Sequence, residues 1–357
     1  MRKNLKVAFC GGGTGGHYYP AIAVYQELSK RFDIEALYFT IAGRLDDKNV
    51  EQDIPRVKRI PLKVKGLRRP LAHPENFFRV LSHLRTSSKV KKILKDFNPD
   101  LVFSTGGYIS YPVVKAAHTL GIPIYIHEQN SIPGIANKKL SVFARKVFVS
   151  FSESADYFPV PKDKIIVSGN PVRKPVKNRE ELLNQLGFDP KTPFVVITGG
   201  SLGSDLLNKL ALSLYSKILE HGPNINFLHI TGNENISAKL NEFPFVIEKA
   251  YEPELHEYIN IADAVIARGG ATTIAEILNY KSFGIIIPWE GAAENHQYYN
   301  AVSLEKQGQG CVILESAATP EKIYSTLVTT LKRMSFKNNE VFRNPARVIV
   351  EHVVREE

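Results

Sequence analysis

Cysteine is scarce in this chain of 357 residues: only Cys10 and Cys311 are present. Two thiols so far apart give no disulfide framework and no zinc cluster, and such usage fits a reducing compartment. Each reads as a small core residue, Cys10 ending a strand and Cys311 starting one. Long apolar runs are also missing. None approaches the roughly 18 residues that a spanning helix needs, so any membrane contact is expected to be peripheral. Arg2, Lys3 and Lys6 lead straight into a strand, and no secretory leader is expected. There is no Asp-x-Asp pair to bridge a metal to a diphosphate. Gly-x-Ser-x-Gly, a Walker A loop and zinc spacing are lacking as well. Neither a metal nor a cofactor is therefore expected. Acidic residues are outnumbered, 36 Asp and Glu against 46 Lys and Arg, a formal charge of +10. That excess points to an anionic partner: nucleic acid, an anionic membrane surface or a phosphorylated substrate. No aromatic RNA-binding motif accompanies it, so no nucleic-acid partner is expected.

Glycine is present where it counts. Gly11-Gly12-Gly13-Thr14-Gly15-Gly16-His17 follows the apolar run Leu5–Cys10 and precedes the helically spaced Ala21–Leu28. A glycine-rich turn between a buried strand and a helix lets the backbone approach a ligand. The amides at the helix start then favour phosphate or pyrophosphate. A histidine there has two readings. It takes a proton from a sugar hydroxyl, since imidazole titrates near neutrality, or it binds phosphate and caps the helix.

The pattern recurs along the chain. Thr105-Gly106-Gly107-Tyr108 follows a strand at Leu101–Ser104, and Ile122–Ile126 delivers His127-Glu128-Gln129-Asn130 at its end. Segment 41–75 reads as irregular and basic. Asn76–Lys95 reads as a helix with Phe77, Phe78, Leu81 and Leu84 on it, among Arg79, Arg85, Lys89, Lys91, Lys92 and Lys95. The basic, aromatic segment from Lys58 to Lys95 either meets an anionic lipid surface or holds a core helix whose basic face is solvated. Gly169-Asn170-Pro171-Val172-Arg173-Lys174-Pro175 reads as a linker. Beyond it, Phe194–Thr198 leads into Gly199-Gly200-Ser201-Leu202-Gly203-Ser204 and another helix, which repeats the opening. Alternating strands and helices in both halves imply an α/β protein of two doubly wound domains with a cleft between them.

Other residues carry candidate chemistry in the second half. Ser201 is either a diphosphate ligand or a plain N-cap. Arg268-Gly269-Gly270-Ala271-Thr272-Thr273-Ile274-Ala275-Glu276 is a third glycine turn. Thr272, Thr273 and Glu276 share about one helical turn, where a carboxylate accepts two hydrogen bonds from a ribose diol. Arg173 and Arg268 can offset nucleotide charge, and Asn130 and Gln297 can bond sugar hydroxyls or an amide.

Seven stretches, GGGTGGHYYPA, STGGYISYP, HEQN, GNPVR, GGSLGS, RGGATTIAEI and ENHQYYNA, stand in this order. In order and spacing the chain resembles the MurG family of N-acetylglucosamine transferases over essentially its whole length. The resemblance implies a GT-B fold of two Rossmann-like domains: residues 1–168 bind the acceptor and associate with the membrane, and 169–340 bind UDP-N-acetylglucosamine. A C-terminal helix at about 341–357 is expected to pack back on the first. It implies an inverting, metal-independent glycosyltransferase that turns lipid I into lipid II at the cytoplasmic membrane face. Carried over by motif, Thr14, Gly15 and Gly16 touch the donor sugar or the acceptor pyrophosphate, with His17 the candidate base. Asn130 and Gln297 contact the sugar, and Arg173 and Ser201 the nucleotide and its diphosphate. Ala271, Thr272, Thr273, Ile274, Ala275 and Glu276 line the nucleotide site, and Glu252 falls near the uracil. The chain departs from the family pattern at Tyr111, Glu252 and Gly269-Gly270. The alternatives are a same-fold transferase to another lipid and a UDP-N-acetylglucosamine 2-epimerase.

Overall fold

The computed structural model describes residues 2–66, 73–200, 203–232, 240, 242–333 and 344–355. They fall into two compact units, Met1–Arg173 with Asn344–Glu357, and Lys174–Arg343. The seam follows Arg173 rather than residue 168, because the segment between is tied to the first unit. The Ser168 and Gly169 amides donate to the Val149 carbonyl at 3.0 and 3.3 Å. The Arg173 guanidinium lies 4.6 Å over the Tyr19 ring.

The first unit runs β1 (Lys3–Cys10), α1 (Gly15–Ser29), β2 (Phe32–Ile41), α2 (Leu45–Asp53), β3 (Lys58–Leu62), α3 (Glu75–Phe97), β4 (Leu101–Ser104), α4 (Ser110–Thr119), β5 (Ile124–Glu128), α5 (Ile135–Leu140), β6 (Lys146–Val149) and β7 (Ile165–Val167). Its strands are all parallel, in the order β3-β2-β1-β4-β5-β6-β7. A parallel sheet buried on both faces needs apolar side chains on both, and β1 supplies them. Val7 and Phe9 enter the core beneath α1, and Ala8 and Cys10 enter the core on the other face.

Two elements lie inside the stretch expected to be irregular. Helix α2, Leu-Asp-Asp-Lys-Asn-Val-Glu-Gln-Asp, offers almost no apolar stripe, and β3 contains Pro61. Both defeat a periodicity reading, yet an edge strand tolerates proline because one side of it needs no ladder bond.

The second unit runs α6 (Arg179–Gln185), β8 (Phe194–Thr198), α7 (Asp205–His221), β9 (Asn226–Ile230), β10 (Val246–Lys249), α8 (Leu255–Ile261), β11 (Ala264–Ala267), α9 (Ala271–Tyr280), β12 (Phe283–Ile286), α10 (His296–Lys306), β13 (Gly310–Val312) and α11 (Pro320–Arg333). The parallel order β10-β9-β8-β11-β12-β13 repeats that of the first six strands of the first unit. Cys311 sits on edge strand β13 and is half-buried, not a full core residue.

The last helix, α12 (Pro345–Arg355), returns to the first unit. Ala346, Ile349, Val350 and Val353 enter the core beneath α1. Asn344 Nδ2 donates to Glu27 Oε2 at 2.8 Å. Among the described residues no helix is long and apolar enough to cross a membrane.

Candidate functional site

In each sheet the strand order reverses between the first strand and its fourth. Ligands of open parallel sheets sit beyond the carboxyl ends of the strands at such a switch point. In the first unit that point lies between β1 and β4, in the second between β8 and β11. All three glycine turns that follow β1, β8 and β11, and the turn after β4, open there.

In the first unit α1 begins at Gly15, so His17 stands in its first turn rather than in the loop. The first intrahelical acceptor is the Thr14 carbonyl, which takes the His17 and Tyr18 amides at 3.3 and 3.2 Å. The Gly15 and Gly16 amides precede it and have no acceptor within the helix. Thr14 is exposed, Gly15 buried, and Gly16 and His17 half-buried.

The loop is held by side chains from three neighbours. Tyr38 donates to the Gly11 carbonyl at 2.7 Å. Thr105 Oγ1 donates to the His17 carbonyl. Asp46 accepts the Gly13 amide at 2.9 Å and the Ile41 amide at 2.6 Å. Burial pushes the Asp46 carboxyl above the usual carboxylate range, and those two amides pull against it. Gly107 needs to be glycine: its φ is +80°, and a Cβ there would stand 3.2 Å from the Gly12 carbonyl and 3.5 Å from the His17 ring. His17 Nδ1 lies 2.9 Å from the Thr105 carbonyl and 3.0 Å from Gln129 Oε1.

Asn130 stands on the same rim, after β5. Its amide and its Nδ2 both donate to Glu128 Oε1, at 2.9 and 3.0 Å. Glu128 Oε2 takes the Gly134 amide at 3.1 Å and Asn137 Nδ2 at 2.9 Å. This carboxylate is 1% exposed and is satisfied by four donors. The sequence reading gave no role to Asp46 or Glu128, and nothing in the pattern marks a carboxylate that turns inward to hold a loop.

In the second unit Ser201 lies outside the described residues. The N-cap of α7 is Ser204, whose Oγ accepts the Leu207 amide. Gly203 is required beside it, with φ +71° and a would-be Cβ 2.4 Å from the Thr231 carbonyl. Arg268 is committed to the scaffold: Nε donates to Ser204 Oγ at 3.0 Å, and Nη1 to the Ile287 carbonyl at 3.0 Å and to Glu315 Oε1 at 2.6 Å. It thus ties the loop after β8 to the turn after β11, and a direct role on the nucleotide is not what its partners suggest.

Ala271, Thr272 and Thr273 form the first turn of α9, where the Ile274 amide is the first to bond the Gly270 carbonyl, at 3.0 Å. Thr272 Oγ1 is buried without a hydrogen-bond partner. Ile274 and Ala275 are core residues, whereas Glu276 is a buried carboxylate on the same helix. Gln297 accepts the Trp289 amide at 3.0 Å through Oε1. Glu252 pairs with Lys249 and accepts the Glu254 amide at 2.9 Å. Arg173, expected on the nucleotide, stacks on Tyr19 of the first unit. Tyr111 packs by its edge on His83, with centroids 5.9 Å apart.

Comparison with known proteins agrees with this layout. Residues 7–149 match the glycosyltransferase family 28 N-terminal domain and residues 194–353 its C-terminal domain. A Thermotoga petrophila protein is 43% identical over 352 residues, 99% of each chain, and one from Bacillus pumilus is 37% identical over 328 residues, 89% of this chain and 88% of the relative. Both are named UDP-N-acetylglucosamine–N-acetylmuramyl-(pentapeptide) pyrophosphoryl-undecaprenol N-acetylglucosamine transferase. Among solved structures, MurG of Acinetobacter baumannii superposes with a TM-score of 0.71 at 23% identity, covering 99% of each chain. A UDP-N-acetylglucosamine 2-epimerase of Listeria monocytogenes reaches 0.69 at 13% identity over 99% and 96% of the two chains, a likeness of fold alone.

Proposed function

The chain belongs to glycosyltransferase family 28, and from that membership we propose the reaction it performs and the residues that perform it. It transfers N-acetylglucosamine from UDP-N-acetylglucosamine to the N-acetylmuramyl-(pentapeptide) pyrophosphoryl-undecaprenol acceptor, giving lipid II for peptidoglycan synthesis. The observation that carries this is the near full-length identity to relatives that bear the transferase name. A 2-epimerase shares only the fold.

Nucleotide recognition is assigned to the second unit. The first-turn amides of α9 offer N–H groups to the diphosphate, and Glu276 accepts from the ribose diol. Thr272 Oγ1, buried and unpartnered, suits a ligand that satisfies it. Gln297 and Asn130 are assigned to the sugar. In the first unit the Gly15 and Gly16 amides suit the acceptor pyrophosphate. His17, engaged through Nδ1, offers Nε2 to the muramyl C4 hydroxyl. That oxygen attacks the anomeric carbon, the bond to UDP breaks, the hydroxyl proton passes to His17, and the configuration inverts. Preorganised amides stabilise the charge that develops on the departing diphosphate.

Membrane association is assigned to α3. Phe77 and Phe78 are 67% and 71% exposed, and Arg85, Lys89, Lys91, Lys92 and Lys95 lie further along the helix. Aromatic rings with nearby cations suit a peripheral hold on an anionic surface. We place the protein at the cytoplasmic membrane face. Incubation of radiolabelled UDP-N-acetylglucosamine with a lipid I analogue tests the reading. Labelled disaccharide-lipid is the expected product, and epimerised donor formed without acceptor would refute it.

A further inference from the structure

Behind His17 runs a chain of hydrogen bonds that reaches Gly169, just past the end of β7. Gln129, 1% exposed, sits at its centre. Its Nε2 lies 2.8 Å from the Thr105 carbonyl and 3.2 Å from the His127 carbonyl. Carbonyls only accept, so these two neighbours identify Nε2 as the amide's donor end. Oε1 then faces His17 Nδ1 at 3.0 Å as an acceptor. The Thr105 carbonyl faces the same Nδ1 at 2.9 Å. Two acceptors at one ring nitrogen require that it carry the hydrogen, which leaves the lone pair on Nε2.

The other end of the chain is consistent. His127 Nε2 lies 3.1 Å from the Gly169 carbonyl and must donate, so Nδ1 accepts from Gln129 Nε2 at 3.1 Å. Burial pushes His127 down to about 4, so the ring stays neutral and keeps one donor and one acceptor. Every bond from Gly169 to His17 runs in one sense.

We propose that Gln129 is a positioning residue that fixes His17 as its Nδ1–H tautomer and aims the Nε2 lone pair at the acceptor hydroxyl. This deepens the proposed function and rests on the reading of His17 as the base. Gln129 occupies the place that a carboxylate holds behind the histidine of a catalytic triad. A carboxylate would favour imidazolium and would set negative oxygen against the Thr105 and His127 carbonyls. The amide orients the ring without adding charge.

The test combines a spectroscopic and a kinetic measurement on the full chain. Nitrogen-15 NMR of histidine-labelled protein, with the His17 signals identified from His17→Ala, reports which ring nitrogen holds the proton. Wild type is expected as Nδ1–H. Gln129→Met, close in volume but without the amide, is expected to populate the Nε2–H form and to lower kcat at least tenfold, with KM for UDP-N-acetylglucosamine within twofold. A wild-type Nε2–H tautomer overturns the proposal. So does a Gln129→Met protein with an unchanged His17 spectrum and kcat within twofold. Should that variant fail to fold, Gln129→Asn, which shortens the amide's reach, is read the same way. If His17→Ala keeps wild-type turnover, the assignment of the base is what fails, and the tautomer measurement still judges Gln129.

Discussion

His17, a candidate from its glycine turn, is oriented by two residues far away in sequence, Thr105 and Gln129, whose oxygens converge on one ring nitrogen. Loss of the ring should therefore be felt in turnover and not in donor binding. His17→Ala is expected to lower kcat about a hundredfold or more, with UDP affinity unchanged by titration calorimetry. Glu276 has the complementary role, and Glu276→Gln should weaken UDP-N-acetylglucosamine binding about tenfold or more, since hydrogen bonds to a charged carboxylate are worth ~1.5–3 kcal/mol. Asp46 and Glu128 show what sequence alone hides. Both are inward-facing carboxylates among backbone amides, and a carboxylate is ordinarily read as solvated. Ser201 was legible as an N-cap or a phosphate ligand, and the cap of α7 is Ser204 instead.

Helix α3 shows the same tension at the scale of an element. Its length was legible from periodicity, but which face turns inward was not. Among the described side chains the stripe that packs is His83, Val90, Leu94 and Phe97, while Phe77, Phe78 and Leu84 stand outside; Leu81 is not among the described side chains. Aromatic residues at helical spacing would ordinarily be core, and here the sheet contact is made by the later turns. Replacing Phe77 and Phe78 together with serine should weaken binding to vesicles of anionic lipid by at least tenfold, given ~1.5–3 kcal/mol for each fully buried side chain. The thermal midpoint should stay unchanged, because both rings are largely exposed and meet each other edge to face. The reverse holds for α12. Ile349 is fully buried beneath α1, so Ile349→Ala should cost ~2–5 kcal/mol in urea unfolding of the first unit and leave vesicle binding intact.

For the molecule as a whole, each unit carries a fully buried histidine with a strongly lowered pKa, His127 in the first and His229 in the second. Burial lowers both to about 4 from an ordinary 6.5. Between those values the unfolded chain holds a proton that the folded chain refuses. Their contribution is thus fully present above pH 6.5 and is lost as pH falls towards 4. Acidification across that window should lower stability by ~3 kcal/mol per histidine, measured by urea unfolding at a series of pH values. The alternation of strands and helices in both halves and the glycine turns that follow the strands were determined by the sequence itself, whereas the strand order that creates the two switch points is a property of the fold. Buried parallel strands are continuous apolar runs, and a turn with positive φ demands glycine, so both leave local marks. The tertiary structure alone decided that Arg268 serves the scaffold, that Arg173 rests on Tyr19, that two acidic side chains fold inward to hold loops, and that Gln129 stands behind His17. Arg268, Arg173, Asp46 and Gln129 each depend on a partner dozens of residues away, and Glu128 is held by Asn130, Gly134 and Asn137 at no regular spacing, so neither kind of contact leaves a periodicity to read.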